Sequence, residues 1–349
     1  MKAIVIHAPH DLRIEEREVR APGPGEVSVR VARGGVCGSD LHYYQHGGFG
    51  TVRLKEPMIL GHEVAGHVEA LGEGVEGLKV GQLVAVSPSR HCGSCAECLR
   101  GLPNHCVAMR FYGSAMPMPH IQGAFREVLV AQASQCVAAD GLSPETAALA
   151  EPLAVAVHAV ERAGPLMGRR VVVTGCGPIG CLVVAAARAA GAGEVVATDI
   201  VAAPLAMAER MGATRALDTS VDPDAMSEYA RGPRGDGKGT FDVMLECSGA
   251  APALAAGLAA MRPRGRVVQL GLGGDMSVPM MLVTAKELEV VGSFRFHEAF
   301  ATAVAAMRDG RIDVSALVTH TVPLADAEEA FRLASDRASG AMKAQIAFA

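Results

Sequence analysis

The chain has 349 residues, half of them hydrophobic and a fifth charged, which suits a globular enzyme of two domains with a substantial core. A formal net charge of −5 leaves no basic footprint, so nucleic acid is excluded as an expected partner. No apolar run reaches the ~18 residues of a membrane-spanning helix, so no membrane partner is expected. The opening Met1-Lys2-Ala3-Ile4-Val5-Ile6 has too short an apolar run, and no cleavage site, for a signal peptide. The expected location is therefore the cytoplasm, where nine cysteines serve as thiols or metal ligands rather than disulfides.

In chain order, residues 1–6 read as a strand. After the turn Ala21-Pro22-Gly23-Pro24-Gly25, residues 27–31 alternate with the period of a half-buried strand. Next comes Gly34-Gly35-Val36-Cys37-Gly38-Ser39-Asp40-Leu41-His42-Tyr43-Tyr44, and a little later Leu60-Gly61-His62-Glu63-Val64-Ala65-Gly66. Together they offer a thiol, an imidazole and a carboxylate, a donor set that suits a catalytic zinc with one open position. Residues 64–71 and 82–86 read as further strands of a mostly β domain extending to about residue 150. Within it, Cys92, Cys95, Cys98 and Cys106 have the spacing C-x2-C-x2-C-x7-C. Paired thiolates two residues apart can be presented to one tetrahedral ion, and a fourth closes the shell, so a structural zinc is expected. An iron–sulfur cluster or a redox dithiol are the alternatives. The loop from 88 to 119 has no evident core of its own, which favours a metal staple. Cys136, Cys176, Cys181 and Cys247 have no such companions and read as buried apolar residues.

Beyond residue 154 the texture changes to α/β. A helix at 155–162 leads to a strand at 171–174 and then to Gly175-Cys176-Gly177-Pro178-Ile179-Gly180, followed by an alanine-rich helix to about 190. A second strand at 194–198 ends on Asp199, about 20 residues on, as a dinucleotide fingerprint requires. Gly175, Gly177 and Gly180 allow the turn and the approach of a pyrophosphate to the helix N-terminus, with Pro178 and Ile179 between them. Asp199 is placed to accept hydrogen bonds from the adenosine ribose. Strands expected at 215–217, 241–246, 265–270 and 288–292 bring the count to six, that of a complete doubly wound sheet. Helices at 299–308 and 324–335 and a last strand through Lys343-Ala344-Gln345-Ile346 follow, folding back on the first domain. Residues 277–281 read as a sheet edge open to a second copy.

These motifs, with Glu151-Pro152-Leu153, together resemble the zinc-dependent medium-chain alcohol dehydrogenases over essentially the whole chain. His42-Tyr43-Tyr44, residues 109–116 and Gly292-Ser293-Phe294-Arg295-Phe296 are most similar to the polyol and sugar-acid branch. The resemblance implies a GroES-like catalytic domain at 1–153 and 293–349 and a Rossmann NAD-binding domain at 154–292. It implies two zinc ions per chain, a homotetramer or homodimer, and a small-molecule sugar acid or polyol as substrate. Cys37 and His62 match ligands of the catalytic zinc, and Glu63 and Glu151 the two carboxylates at the metal, one direct and the other direct or through water. Ser39 matches the hydroxyl that takes the substrate proton and His42 the far end of that relay. Tyr43, Phe111, Arg295 and Phe296 match substrate-side residues. Arg110, beside Phe111, offers a guanidinium fork for a substrate carboxylate. The expected reaction is hydride transfer from a secondary alcohol to NAD, with L-idonate giving 5-keto-D-gluconate, or with sorbitol, xylitol or galactitol as neutral alternatives. A threonine 3-dehydrogenase and a zinc- and dinucleotide-binding sensor without turnover are more remote readings. Relatives often carry a basic residue just after the ribose-binding acid. Here Asp199-Ile200-Val201-Ala202-Ala203-Pro204 has none, which argues for NAD over NADP.

Overall fold

A computed structural model describes residues 1–348, which divide into two compact units. The first comprises residues 1–151, 300–310 and 317–348, and the second residues 152–299 and 311–316.

The first unit is built on a seven-stranded sheet. Its spine is the strand Glu26–Gly35, buried at every position except Glu26, Arg30 and Arg33, so that it packs on both faces. One side of this strand pairs antiparallel with Glu63–Leu71. The other side is shared: residues 26–30 pair with Val128–Gln132, and residues 33–35 with the C-terminal strand Lys343–Ala347. The chain end is thus the direct neighbour of the segment that leads into Cys37. Val27, Val29, Val31, Phe125, Leu129, Phe331 and Ile346 form the core beneath. Residues 324–326 form a short 3-10 turn, and the helix proper is Ala327–Ser335.

The second unit is a six-stranded parallel sheet. Its order is Arg215–Asp218, Glu194–Asp199, Arg170–Thr174, Phe241–Glu246, Met261–Gln269 and Glu289–Gly292. The central strands are buried along their length because helices cover a parallel sheet on both faces: Val171, Val172 and Val173 are fully buried, and every residue of Phe241–Glu246 is buried, the acids Asp242 and Glu246 included. Strand order reverses between Arg170–Thr174 and Phe241–Glu246, creating the switch point at which such sheets bind ligands. Residues 277–279 lie in no strand, and Met280 and Met281 open the helix Met280–Ala285. The edge strand on that side is Glu289–Gly292, so the edge expected at 277–281 is not a strand in this chain. Among the described residues, no helix is long and apolar enough to cross a membrane.

Candidate functional site

Among the described residues, two clusters of metal-ligating side chains occur, both in the first unit. Sulfur atoms of Cys92, Cys95, Cys98 and Cys106 stand 3.5 to 4.0 Å apart. Four sulfurs about 2.3 Å from one zinc ion lie about 3.8 Å from each other, so the cluster has the dimensions of a zinc tetrahedron. A disulfide needs sulfurs about 2 Å apart, and all four cysteines are free. Backbone N–H groups of Cys95 and Cys92 donate to the sulfurs of Cys92 and Cys106, both at 3.3 Å. Such donors, from Ser94 and Cys95, hold the Cys92 thiol down at about 6 and favour its thiolate.

The second cluster joins Cys37, His62 and Glu63, whose ligand atoms all lie within 4.8 Å of one another. Cys37 caps the helix Gly38–His46, and His62 and Glu63 stand at the start of Glu63–Leu71. Asp40, fully buried, ties the two segments together. Its carboxylate accepts from the Cys37 N–H at 3.0 Å and the Gly61 N–H at 3.1 Å, and stands 3.7 Å from Nδ1 of His62. At that separation the Asp40–His62 contact is electrostatic and not a hydrogen bond, so Asp40 acts on the centre chiefly by holding the two ligand-bearing segments together. Gly61 is demanded here: its φ is +90°, and a Cβ would lie 2.1 Å from the Phe125 ring.

Glu63 has a partner that the motif does not reveal. Nζ of Lys343 lies 2.8 Å from both Glu63 oxygens and 3.2 Å from the Val36 carbonyl, with both side chains buried. Gly35, opposite Glu63 across the sheet, leaves the space: a Cβ there would lie 2.3 Å from Oε2. Glu151 sits in the first turn of the helix Ala150–Ala163, also buried. Burial, followed by the negative fields of Glu63 and Cys37 and against that of His62, pushes its carboxyl up to about 8. Burial likewise pushes the Cys37 thiol up to about 12, reinforced by Glu63. Both groups hold protons that a divalent cation displaces on binding. A soft sulfur, an imidazole and a carboxylate converging on one point are the donors a catalytic zinc takes, and the residues fit the ion.

Around this centre, Ser39 and His42 are three residues apart and share a face of the helix Gly38–His46. Ser39 is half-buried and His42 exposed. The Phe111 ring lies 5.4 Å from that of His62. Tyr43 is buried, and its hydroxyl accepts the Ala115 N–H at 3.0 Å, anchoring the loop after Phe111. Arg110 is exposed and pairs across a two-residue ribbon with Arg90. Strand alternation turns it away from the side on which Phe111 meets His62. Arg295 and Phe296 belong to the second unit. Arg295 has φ +53° and its guanidinium lies 4.9 Å over the Phe294 ring, while Phe296 is buried.

In the second unit, Gly177 caps the helix Pro178–Ala189, with Pro178 at its first position. Asp199 ends Glu194–Asp199 and reaches back to the glycine-rich turn, accepting the Cys176 N–H at 2.6 Å through Oδ2. Its other oxygen accepts from Ile200 and Val201, at 2.7 and 3.0 Å. A strand, a glycine-rich turn, a helix and an acid at the end of the next strand are thus assembled as a dinucleotide site requires.

Residues 23–141 match the alcohol dehydrogenase GroES-like domain and residues 178–309 the zinc-binding dehydrogenase domain. The chain belongs to the zinc-dependent alcohol dehydrogenase family. It is 43% identical over 324 residues to the L-idonate 5-dehydrogenase (NAD(P)(+)) of Escherichia coli K12, covering 92% of this chain and 91% of that one. Human sorbitol dehydrogenase is 36% identical over 331 residues, covering 94% and 91%. The crystal structure of the Escherichia coli L-idonate 5-dehydrogenase superposes with a TM-score of 0.93 at 40% identity, covering 99% and 97%. This is a dehydrogenase of the polyol and sugar-acid group, with zinc and a nicotinamide dinucleotide as its cofactors.

Asp40 and Lys343 are the site residues that sequence reasoning did not assign. Asp40 stands inside the glycine-flanked segment 34–44, but its role depends on Gly61, 21 residues on. For Lys343 one signal exists, a lysine opening an otherwise uncharged final strand, Lys343–Ala347.

Proposed function

We propose that the protein oxidises L-idonate to 5-keto-D-gluconate with NAD as hydride acceptor. The observation that carries this is the higher identity to L-idonate 5-dehydrogenase, 43% against 36% for sorbitol dehydrogenase, at near-equal coverage. The sorbitol likeness keeps a neutral polyol as the second reading.

Cys37, His62 and Glu63 would hold the catalytic zinc, and Cys92, Cys95, Cys98 and Cys106 the structural one. At the first position the ion would supply Lewis-acid polarisation of the substrate oxygen, and the dinucleotide would supply the hydride acceptor. Lys343 balances the Glu63 charge and holds the carboxylate in place. Glu151, with its raised affinity for a proton, serves as the outer carboxylate of the centre. Ser39 takes the alcohol proton and passes it along the helix face to His42, from which it reaches water. Phe111 packs beside His62 and keeps that side of the centre apolar. Gly175, Gly177, Pro178, Ile179 and Gly180 seat the pyrophosphate. Asp199 binds the adenosine ribose and, with no base after it, repels a 2′-phosphate. We further propose residues 1–153 and 293–349 as the catalytic domain, the cytoplasm as the location, and a homodimer or homotetramer as the working form.

The test is a comparison of kcat/KM for L-idonate, sorbitol, xylitol, galactitol and L-threonine with NAD and with NADP. The proposal requires L-idonate with NAD to lead. Sorbitol or xylitol ahead by tenfold would assign the chain to the polyol enzymes, and no turnover of any alcohol would leave the sensor reading.

A further inference from the structure

Glu246 is fully buried at the carboxyl end of Phe241–Glu246, on the far side of the switch point from Asp199. Its carboxylate accepts from the Ser248 N–H at 2.8 Å, the Gly249 N–H at 3.1 Å, the Ser248 hydroxyl, the Thr174 hydroxyl at 3.4 Å and the Gln269 amide at 2.6 Å. The Ser248 hydroxyl is itself the acceptor for the Ala250 N–H, which fixes it as a donor to Glu246. The carbonyl of Glu246 accepts the N–H groups of Leu270 and Gly271, both at 2.9 Å. One residue therefore ties together the ends of three adjacent strands: Thr174 just before the glycine-rich turn, residues 248–249, and residues 269–271. The loops meet backbone to backbone, since a Cβ on Gly273 would lie 1.7 Å from the Gly249 carbonyl. All five side-chain contacts are neutral donors, so the charge is solvated by dipoles and not cancelled by a cation.

A doubly wound sheet binds one nucleotide on each half, and Asp199 marks the adenosine half, so the strands from Phe241 onward take the nicotinamide. We propose that Glu246 is a positioning residue for the nicotinamide half of this site. It clamps the three loops and sets a fixed negative charge near the oxidised, cationic ring, favouring NAD over NADH. This rests on the reading of the second unit as the dinucleotide site.

Calorimetric titration of the zinc-loaded protein with NAD, NADH and AMP tests it. Glu246→Gln keeps the shape and removes the charge, and should weaken NAD by about tenfold, NADH by about twofold or less, and AMP not at all. Ser248→Ala keeps the charge and loosens the clamp, and should weaken NAD and NADH alike by a few-fold, with AMP unchanged. Equal weakening of NAD and NADH by Glu246→Gln overturns the electrostatic role, and weakening of AMP as well reduces Glu246 to a general structural strut. If Glu246→Gln does not fold, Ser248→Ala decides the clamp: unchanged dinucleotide binding overturns it. Failure of the wild-type protein to bind either dinucleotide would instead refute the underlying reading of this unit.

Discussion

Replacing Lys343 by methionine isolates the least expected feature of the metal centre. The substitution keeps the aliphatic length but leaves the Glu63 carboxylate, 1% exposed, without the ammonium that contacts both its oxygens. Removing one member of a buried ion pair costs about 3–5 kcal/mol because the remaining charge stays desolvated. For a folding unit of this size, each kcal/mol moves the melting temperature by roughly 2–4 °C, so the metal-free variant should melt about 10 °C lower. Zinc held by Cys37, His62 and Glu63 places positive charge against the same carboxylate, so the loss should shrink to a few degrees when the metal is present. Thermal melts with and without a chelator measure both, and Lys343→Met/Glu63→Gln should recover most of the metal-free loss by removing the orphaned charge. An equal loss with and without zinc, or no rescue by the double variant, would refute the assignment of Lys343 as the counter-charge of a metal ligand.

Cys95→Ser should lower the zinc content from two ions to one and destabilise the lobe around residues 92–106, whereas Cys37→Ser should also lose one zinc but stay folded and inactive; elemental analysis with circular dichroism separates them. Asp199→Ala should raise the KM for NAD by about tenfold and relax discrimination against NADP, with zinc content unchanged, because it removes both the ribose acceptor and the hydrogen bond to Cys176. Arg110→Met should leave kcat/KM for L-idonate within about twofold, since the side chain is exposed and turned from Phe111; a loss of tenfold or more confined to sugar acids would establish it as the carboxylate anchor. The Glu26 carboxyl is held down at about 2, against an ordinary 4.5, first by Arg20 and then by the Gly23 N–H. A lowered folded-state value means that its contribution, about 1 kcal/mol or less for so exposed a partner, is complete above pH 4.5 and fades as the pH falls towards 2. The stability gap between wild type and Glu26→Gln should therefore close over that window in acid denaturation.

What the sequence determined by itself is whatever a few consecutive residues can fix. The spacing of Cys92, Cys95, Cys98 and Cys106 specifies a metal shell because neighbouring turns present adjacent sulfurs whatever the rest of the chain does. The run from Val171 to Gly180 and the acid at 199 specify a dinucleotide turn for the same reason, and six strands alternating with helices announce a doubly wound sheet. Cys37, His62 and Glu63 were legible as donors because each stands in a short glycine-flanked motif. Tertiary structure alone decided how these donors are charged and held. Lys343 reaches Glu63 across 280 residues only because the final strand pairs with residues 33–35. A register slip of one residue would turn its side chain to the opposite face. Asp40 and Glu246 look like ordinary acids in the sequence, yet folding desolvates them and surrounds each with donors from distant loops. Arg110 and Phe111 are adjacent in the chain and equally plausible at a substrate pocket. Alternation along a two-residue strand sends one to His62 and the other to solvent. Burial, register and facing are properties of the assembled sheet, and no local pattern of residues encodes them.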